Sequence, residues 1–325
     1  MRYERAVVVC LTAVALALAP ACGDFGAAKG ELPTDAEAGP PSDAADGGAP
    51  EVDAATAEPC DHEKPFGMPV IVPFLSAPAE PIITPTLTDD ERQMIFSVHE
   101  GEAGKGAFRL SYATRPDRAA AFGAPIPLTK LAKGVDERSP ALAANGLTLF
   151  FQSSAAGGRI EVWTTARSSP GAFTFTDPTL LAAISPPSQT VTGAPHPART
   201  GGALYYTASV DLGVSPLHLR RAVASNGFTG KAIPELDSLL GENGPVPTAD
   251  ETGLYYSRNT AAGAEVWFAR RPSASGSYTN IQSVPELSSG TNDIPGWLSA
   301  DGCRLYFTSN RSGSLSIYYA DKPAR

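Results

Sequence analysis

Few residues of this chain are equipped for chemistry. In 325 residues there are 4 Cys, 4 His, 3 Trp and 3 Met, and only 18% of positions carry a charged side chain. No Cys-x-x-Cys occurs, and His62, His99, His196 and His218 include no pair at metal-ligand spacing. A zinc site therefore has no support in the sequence, and no metal or other cofactor is expected. The Gly-x-Ser-x-Gly elbow, a Gly-rich phosphate loop opening a helix and a zincin motif are all missing, so no catalytic residue can be named. A basic face is missing too. The formal net charge is -9, which excludes a nucleic-acid partner, since that would need cations facing phosphates.

Long apolar runs are confined to the start. Met1-Arg2-Tyr3-Glu4-Arg5 is weakly basic and precedes Ala6 to Ala19, a run too short for a permanent transmembrane helix and suited to a signal peptide over 1–21. Ala19-Pro20-Ala21-Cys22 resembles a bacterial lipobox, in which Cys22 receives lipid and anchors the chain in a membrane of the cell envelope, with the outer membrane expected. Pro20 departs from that pattern, and Ala19-Pro20-Ala21 also fits an ordinary cleavage site that would release a soluble protein. Residues 22–59 hold almost no large apolar side chain, so they cannot offset their ordering entropy and read as a disordered tether. Nine acids between Asp24 and Glu58 face one base, Lys29, which leaves the remainder near neutral.

What the chain has in quantity is Gly, at 31, and Pro, at 30, the punctuation of many short strands. One window recurs: Pro85 to Phe96, Pro140 to Phe151, Pro195 to Tyr206, Pro245 to Tyr256 and Gly296 to Phe307. The starts lie about 50 to 55 residues apart, the length of a four-stranded propeller blade with its loops. Each window reads as a hairpin, with turns such as Asn145-Gly146 and Asp301-Gly302. A further strand follows each (Phe108 to Thr114, Ile160 to Ala166, Leu217 to Val223, Glu265 to Ala269, Leu315 to Ala320), and then an aromatic with a Leu eight or nine residues on. That last element reads as Phe122 with Leu131, Phe173 with Leu181, Phe228 with Leu236 and Tyr278 with Leu287. Its fifth copy, Phe66 to Leu75, precedes the first hairpin, while the last repeat lacks one. The expected fold is all-β: a single five-bladed β-propeller over 60–325, closed by the N-terminal strand pairing into the last blade. Competing readings are an open solenoid and a six-bladed ring with a degenerate repeat.

Pro295, Ser299, Asp301, Gly302, Ser309, Asn310, Arg311, Ile317 and Tyr318 resemble the WD40-like propeller repeat of TolB-type periplasmic proteins, with Ala300 in the place of the second proline. The resemblance implies a propeller and an envelope role. It implies no particular chemistry, because propellers host unrelated functions.

Cys60 and Cys303 should meet at one end of the last blade. A disulfide is expected there; the alternative is two free thiols, since strands two apart in a sheet are about 9 to 10 Å from each other. Bases end the third strand of each repeat (Arg115, Arg167, Arg220 with Arg221, Arg270 with Arg271, Lys322) and read as a solvated rim. Two functions are carried forward. The first is a monomeric, non-catalytic module that binds an envelope protein, peptide or glycan on a face formed by Asp136, Arg138, His196, Asn243, Asp293 and Trp297. The second is a carbohydrate-active enzyme using Asp89, Asp136, Glu242 or Asp293 at the channel mouth, where five-bladed glycosidases keep their carboxylates. The same acids also suit loop capping.

Overall fold

The structure, a computed structural model, describes residues 60–76, 78, 80–101, 106–154, 159–186, 191–209 and 216–325. The signal segment, Cys22 and the tether lie outside the described residues. Apart from three short 3-10 turns, the described elements are strands, and none of them is a helix long and apolar enough to cross a membrane.

Strand β1 (Val70–Ile71) comes first. Blade 1 is β2 (Ile82–Leu87), β3 (Gln93–Glu100), β4 (Ala107–Thr114) and β5 (Ile126–Pro127). Blade 2 is β6 (Glu137–Leu142), β7 (Thr148–Ser153), β8 (Glu161–Ala166) and β9 (Thr179–Leu180), and blade 3 is β10 (Val191–Pro197), β11 (Ala203–Ser209), β12 (His218–Val223) and β13 (Gly230–Ala232). Blade 4 is β14 (Glu242–Pro247), β15 (Gly253–Asn259), β16 (Ala264–Arg270) and β17 (Asn280–Ser283), and the last three strands are β18 (Asp293–Leu298), β19 (Arg304–Ser309) and β20 (Ser316–Asp321). The chain is a five-bladed β-propeller of four-stranded antiparallel sheets, and the fifth sheet is completed by β1. Val70 faces Tyr319 and Ile71 faces Tyr318, so the N-terminal strand closes the ring. Cys60 and Cys303 form a disulfide at the same seam.

Packing confirms the closure. Each of five apolar clusters draws on two neighbouring blades, and one joins Trp297, Tyr306 and Ile317 of blade 5 to Ile82, Met94 and Phe96 of blade 1. An open solenoid would leave that last pair of faces bare.

The recurrent proline marks a bulge at the axis. Thr84, Ser139, Ala194 and Gly244 take positive φ of 52°, 51°, 43° and 57°, and each precedes the proline of its repeat, where the register of the innermost strand slips. A proline there offers no N–H that would be left unpaired by the extra residue. Blade 5 has Gly296 instead, where an added Cβ would lie 2.8 Å from the Pro85 carbonyl oxygen.

Three of the terminal bases depart from the expected solvated rim, while Arg270 is exposed. Arg115, Arg167 and Arg271 are buried. Their Nε atoms donate to the carbonyls of Glu91, Gly146 and Glu251 in the first turn of each blade, at 2.7, 2.6 and 2.8 Å. Each bond supplies a turn carbonyl with a donor from within the protein. Each guanidinium also lies over the recurrent aromatic, with Arg115 4.4 Å from the Phe122 centroid, Arg167 5.7 Å from Phe175 and Arg271 4.6 Å from Tyr278; Lys322 repeats the contact on Phe66 at 4.5 Å. The two sequence signals are thus one cation–π unit. In blade 2 this unit uses Phe175, with Ile184 as the buried aliphatic nine residues on, rather than Phe173 and Leu181. Phe173 stacks on Tyr112 instead.

Candidate functional site

The innermost strands β2, β6, β10, β14 and β18 surround a cavity of about 160 Å³ on the axis. Its wall is built from equivalent positions at each bulge. One ring is Ile83, Arg138, Asn243 and Ile294, with Gly193 at the remaining place; a Cβ on Gly193 would lie 2.5 Å from Gln152 Oε1, which is why no side chain stands there. Gln152 turns inward from β7, and its Oε1 accepts from Ala194 N at 3.0 Å. Thr84 and Ser139 complete a polar lining.

Arg138 is the charged group of that lining. Its Nε donates to Asp136 Oδ2 at 2.6 Å and its guanidinium lies 4.4 Å from the Phe108 centroid, while Asp136 Oδ1 also accepts from Phe108 N at 2.7 Å. Asp136 is therefore spent in holding the arginine. His196 sits deeper, with Nδ1 3.2 Å from the Pro197 carbonyl and Nε2 buried without a hydrogen bond. Burial lowers its pKa to about 4, against the Pro197 carbonyl and helped by Arg199, so the ring is neutral near pH 7.

Toward the hairpin turns the axis narrows to about 20 Å³ between Leu87, His196, Pro247 and Trp297. Across it Arg199 of blade 3 grips Asp89 of blade 1 with two hydrogen bonds of 2.8 and 3.0 Å, and the guanidinium lies 5.9 Å from the Trp297 centroid.

Of the six residues expected on the binding face, the structure brings Arg138, His196 and Asn243 to the cavity wall and places Asp136 behind Arg138. Asp293 and Trp297 lie elsewhere. Asp293 is fully buried among Ser309 Oγ, Ser289 N and Arg311 Nη2, at 2.6, 2.6 and 3.0 Å, and Trp297 packs edge-on to Tyr306 in the seam between blades 5 and 1. Glu242 and its counterpart Glu137 are buried in the same way as Asp293; burial raises the Glu242 carboxyl above the usual range against opposing bonds from Ser238 and His218. No Asp or Glu lines the cavity among the described residues. Gln152, Ser139 and Thr84 were not singled out from the sequence, where only their distance from the recurrent proline marks them.

No protein-family profile and no characterised protein matches this chain in sequence. Solved structures resemble it in fold. They include the α-L-arabinofuranosidase PaAbf62A from Podospora anserina in complex with cellotriose (11% identity, 80% of this chain and 97% of that chain, TM-score 0.50) and the β-xylosidase RS223 (10%, 78% and 94%, TM-score 0.51). TolB from Acinetobacter baumannii is also similar, at 14% identity and a TM-score of 0.44 over 76% of this chain. This chain spans 56% of the length of that TolB.

Proposed function

We propose that this protein is a non-catalytic binding module of the bacterial cell envelope, held to the membrane by lipid on Cys22, which receives one polar group of a protein, peptide or glycan in the axial cavity. The observation that carries the reading is the lining. Arg138, Gln152, Asn243, Ser139 and Thr84 offer hydrogen-bond donors and acceptors without a carboxylate among them. A volume of about 160 Å³ is below the usual range for a whole small-molecule ligand and suits a single side chain or sugar ring. The rival reading, a carbohydrate-active enzyme, draws on the shared fold with the two glycosidases. It requires a carboxylate pair flanking a glycosidic bond, and Asp136 is the sole acid beside the cavity wall among the four candidates.

The test is retention of envelope components by immobilised full-length protein. Retention of a defined protein or glycan, lost in Arg138→Ala combined with Asn243→Ala, supports the binding module. Release of sugar from aryl glycosides, abolished by Asp136→Asn, replaces it with the enzyme. Localisation is tested separately: Cys22→Ser should move the protein from the membrane to the soluble fraction, and unchanged membrane association contradicts the anchor.

A further inference from the structure

The repeats serve as controls for one another. At the junction of blades 1 and 2, Arg109 Nη1 donates to the buried Glu137 Oε2 at 2.6 Å. The equivalent junction of blades 3 and 4 has Glu242 in the place of Glu137 and His218 in the place of Arg109, since His218 faces Ala208 on its hairpin as Arg109 faces Val98. Asp237, next after the buried Leu236, replaces Ala132, next after the buried Leu131. One cation has been exchanged for an imidazole and a second carboxylate. The other three junctions carry no histidine at this position.

The three side chains converge. His218 Nδ1 lies 3.2 Å from Glu242 Oε2 and 3.4 Å from Asp237 Oδ1, and all three ligand atoms fall within 4.8 Å of one another. Ligands bonded at about 2.0 to 2.2 Å around a tetrahedral cation stand roughly 3.4 Å apart. Glu242 is 0% exposed; its Oε2 is at hydrogen-bond distance from His218 Nδ1, while its Oε1 makes no hydrogen bond, so a fully buried carboxylate is only partly satisfied. Arg258 stands on that side, its Nε 3.6 Å from Oε1, which leaves Oε2 to the cluster and supplies one positive charge against two carboxylates. His218 and Asp237 are 30% and 34% exposed, which gives a cation a way in and open positions for water.

We propose that His218, Asp237 and Glu242 form a binding site for a divalent transition cation of the zinc class, clamping blade 3 to blade 4. One imidazole nitrogen with two carboxylate oxygens suits zinc or cobalt, whereas calcium takes six to eight oxygens. The sequence hides the site because its ligands come from β12, the following turn and β14. The other grouping of potential ligands among the described residues, Cys60, His62 and Cys303, offers no thiolate, since its sulfurs are joined in the disulfide.

The test uses untagged full-length protein, oxidised and freed of metal with a chelator, and titrated calorimetrically with zinc and spectroscopically with cobalt. One equivalent should bind, with a rise in melting temperature. His218→Arg, which installs the pair seen at Arg109 and Glu137, and Asp237→Ala, which installs the residue seen at Ala132, should both stay folded. Each should weaken zinc binding by more than the 10–100-fold that loss of an outer-shell partner costs. Failure of the wild type to bind zinc at 100-fold molar excess, or binding unchanged in both variants, overturns the proposal.

Discussion

Tyr306 donates a hydrogen bond to Glu91 across 2.8 Å, although 215 positions separate them in the chain. Glu91 is buried and also meets Arg115 at 3.3 Å and Arg304 at 3.3 Å, so it ties blade 1 to blade 5. Glu251 does the same between blades 3 and 4 with Tyr205 at 2.9 Å and Arg221 at 2.7 Å. Both glutamates stand at a left-handed turn position, with φ of 55° and 58°, where the other three blades have Gly146, Gly201 and Gly302. Glycine is the easier residue there by about 1 to 2 kcal/mol, so the carboxylate is present for the neighbouring blade and not for the turn. Glu91→Gly should destabilise despite the relieved backbone, because a buried ion cluster loses its anion at a cost of about 3 to 5 kcal/mol. Denaturant midpoints would show it, and a neutral or stabilised variant would contradict this account of the seam.

His196 should make stability depend on pH. Its folded pKa is about 4 against an ordinary 6.5, so the unfolded chain binds a proton that the folded chain refuses. Its stabilising contribution is complete above the unfolded value and falls away as pH drops from about 6.5 toward 4, with a total of roughly 3 kcal/mol. In His196→Leu the loss between about pH 6.5 and 4.5 should shrink; an unchanged slope would show that another group is responsible.

The two ends of the closing segment should differ in sensitivity: Phe66 and Val72 are buried, whereas Leu75 is exposed. Phe66 is 5% exposed and meets Tyr255 edge-on at 5.9 Å, so Phe66→Ala should cost about 3 to 5 kcal/mol. Leu75, which the repeat pattern places in the core, is 78% exposed, and Leu75→Ala should leave the denaturation midpoint nearly unchanged. Equal effects would mean that the strand docks differently.

The disulfide links residues 243 positions apart. In the chain-entropy view, closing so long a loop stabilises by about 5 kcal/mol before any strain is subtracted. Reduction should therefore lower the melting temperature of the wild type and leave that of Cys303→Ser in place. A reductant effect of equal size in both proteins would locate the sensitivity elsewhere.

The architecture was legible because the blades repeat the same physical needs: a proline at the bulge, replaced by Gly296 in blade 5, a turn and an aromatic strand. Phe66 could be assigned to the last blade because its repeat was otherwise incomplete. Long-range polar geometry was hidden. Arg115, Arg167 and Arg271 look like strand-end charges, and nothing local reveals that a turn carbonyl and an aromatic from the same blade enclose them. Asp293 was misplaced for the opposite reason: it opens an axial strand, yet its carboxylate bonds to Ser289 and Ser309. Arg138, Asn243 and His196 reached the cavity because their distance from the recurrent proline fixes their direction.

The binding function proposed for this protein centres on the axial cavity. A photo-crosslinking residue placed at Asn243, on the cavity wall, and at Ile126, an exposed outer-strand residue, would be irradiated in cells expressing the full chain. A discrete adduct is expected from position 243, diminished by Arg138→Ala, and none from position 126. An adduct from the outer strand alone, or from both positions with no dependence on Arg138, would contradict the proposed function.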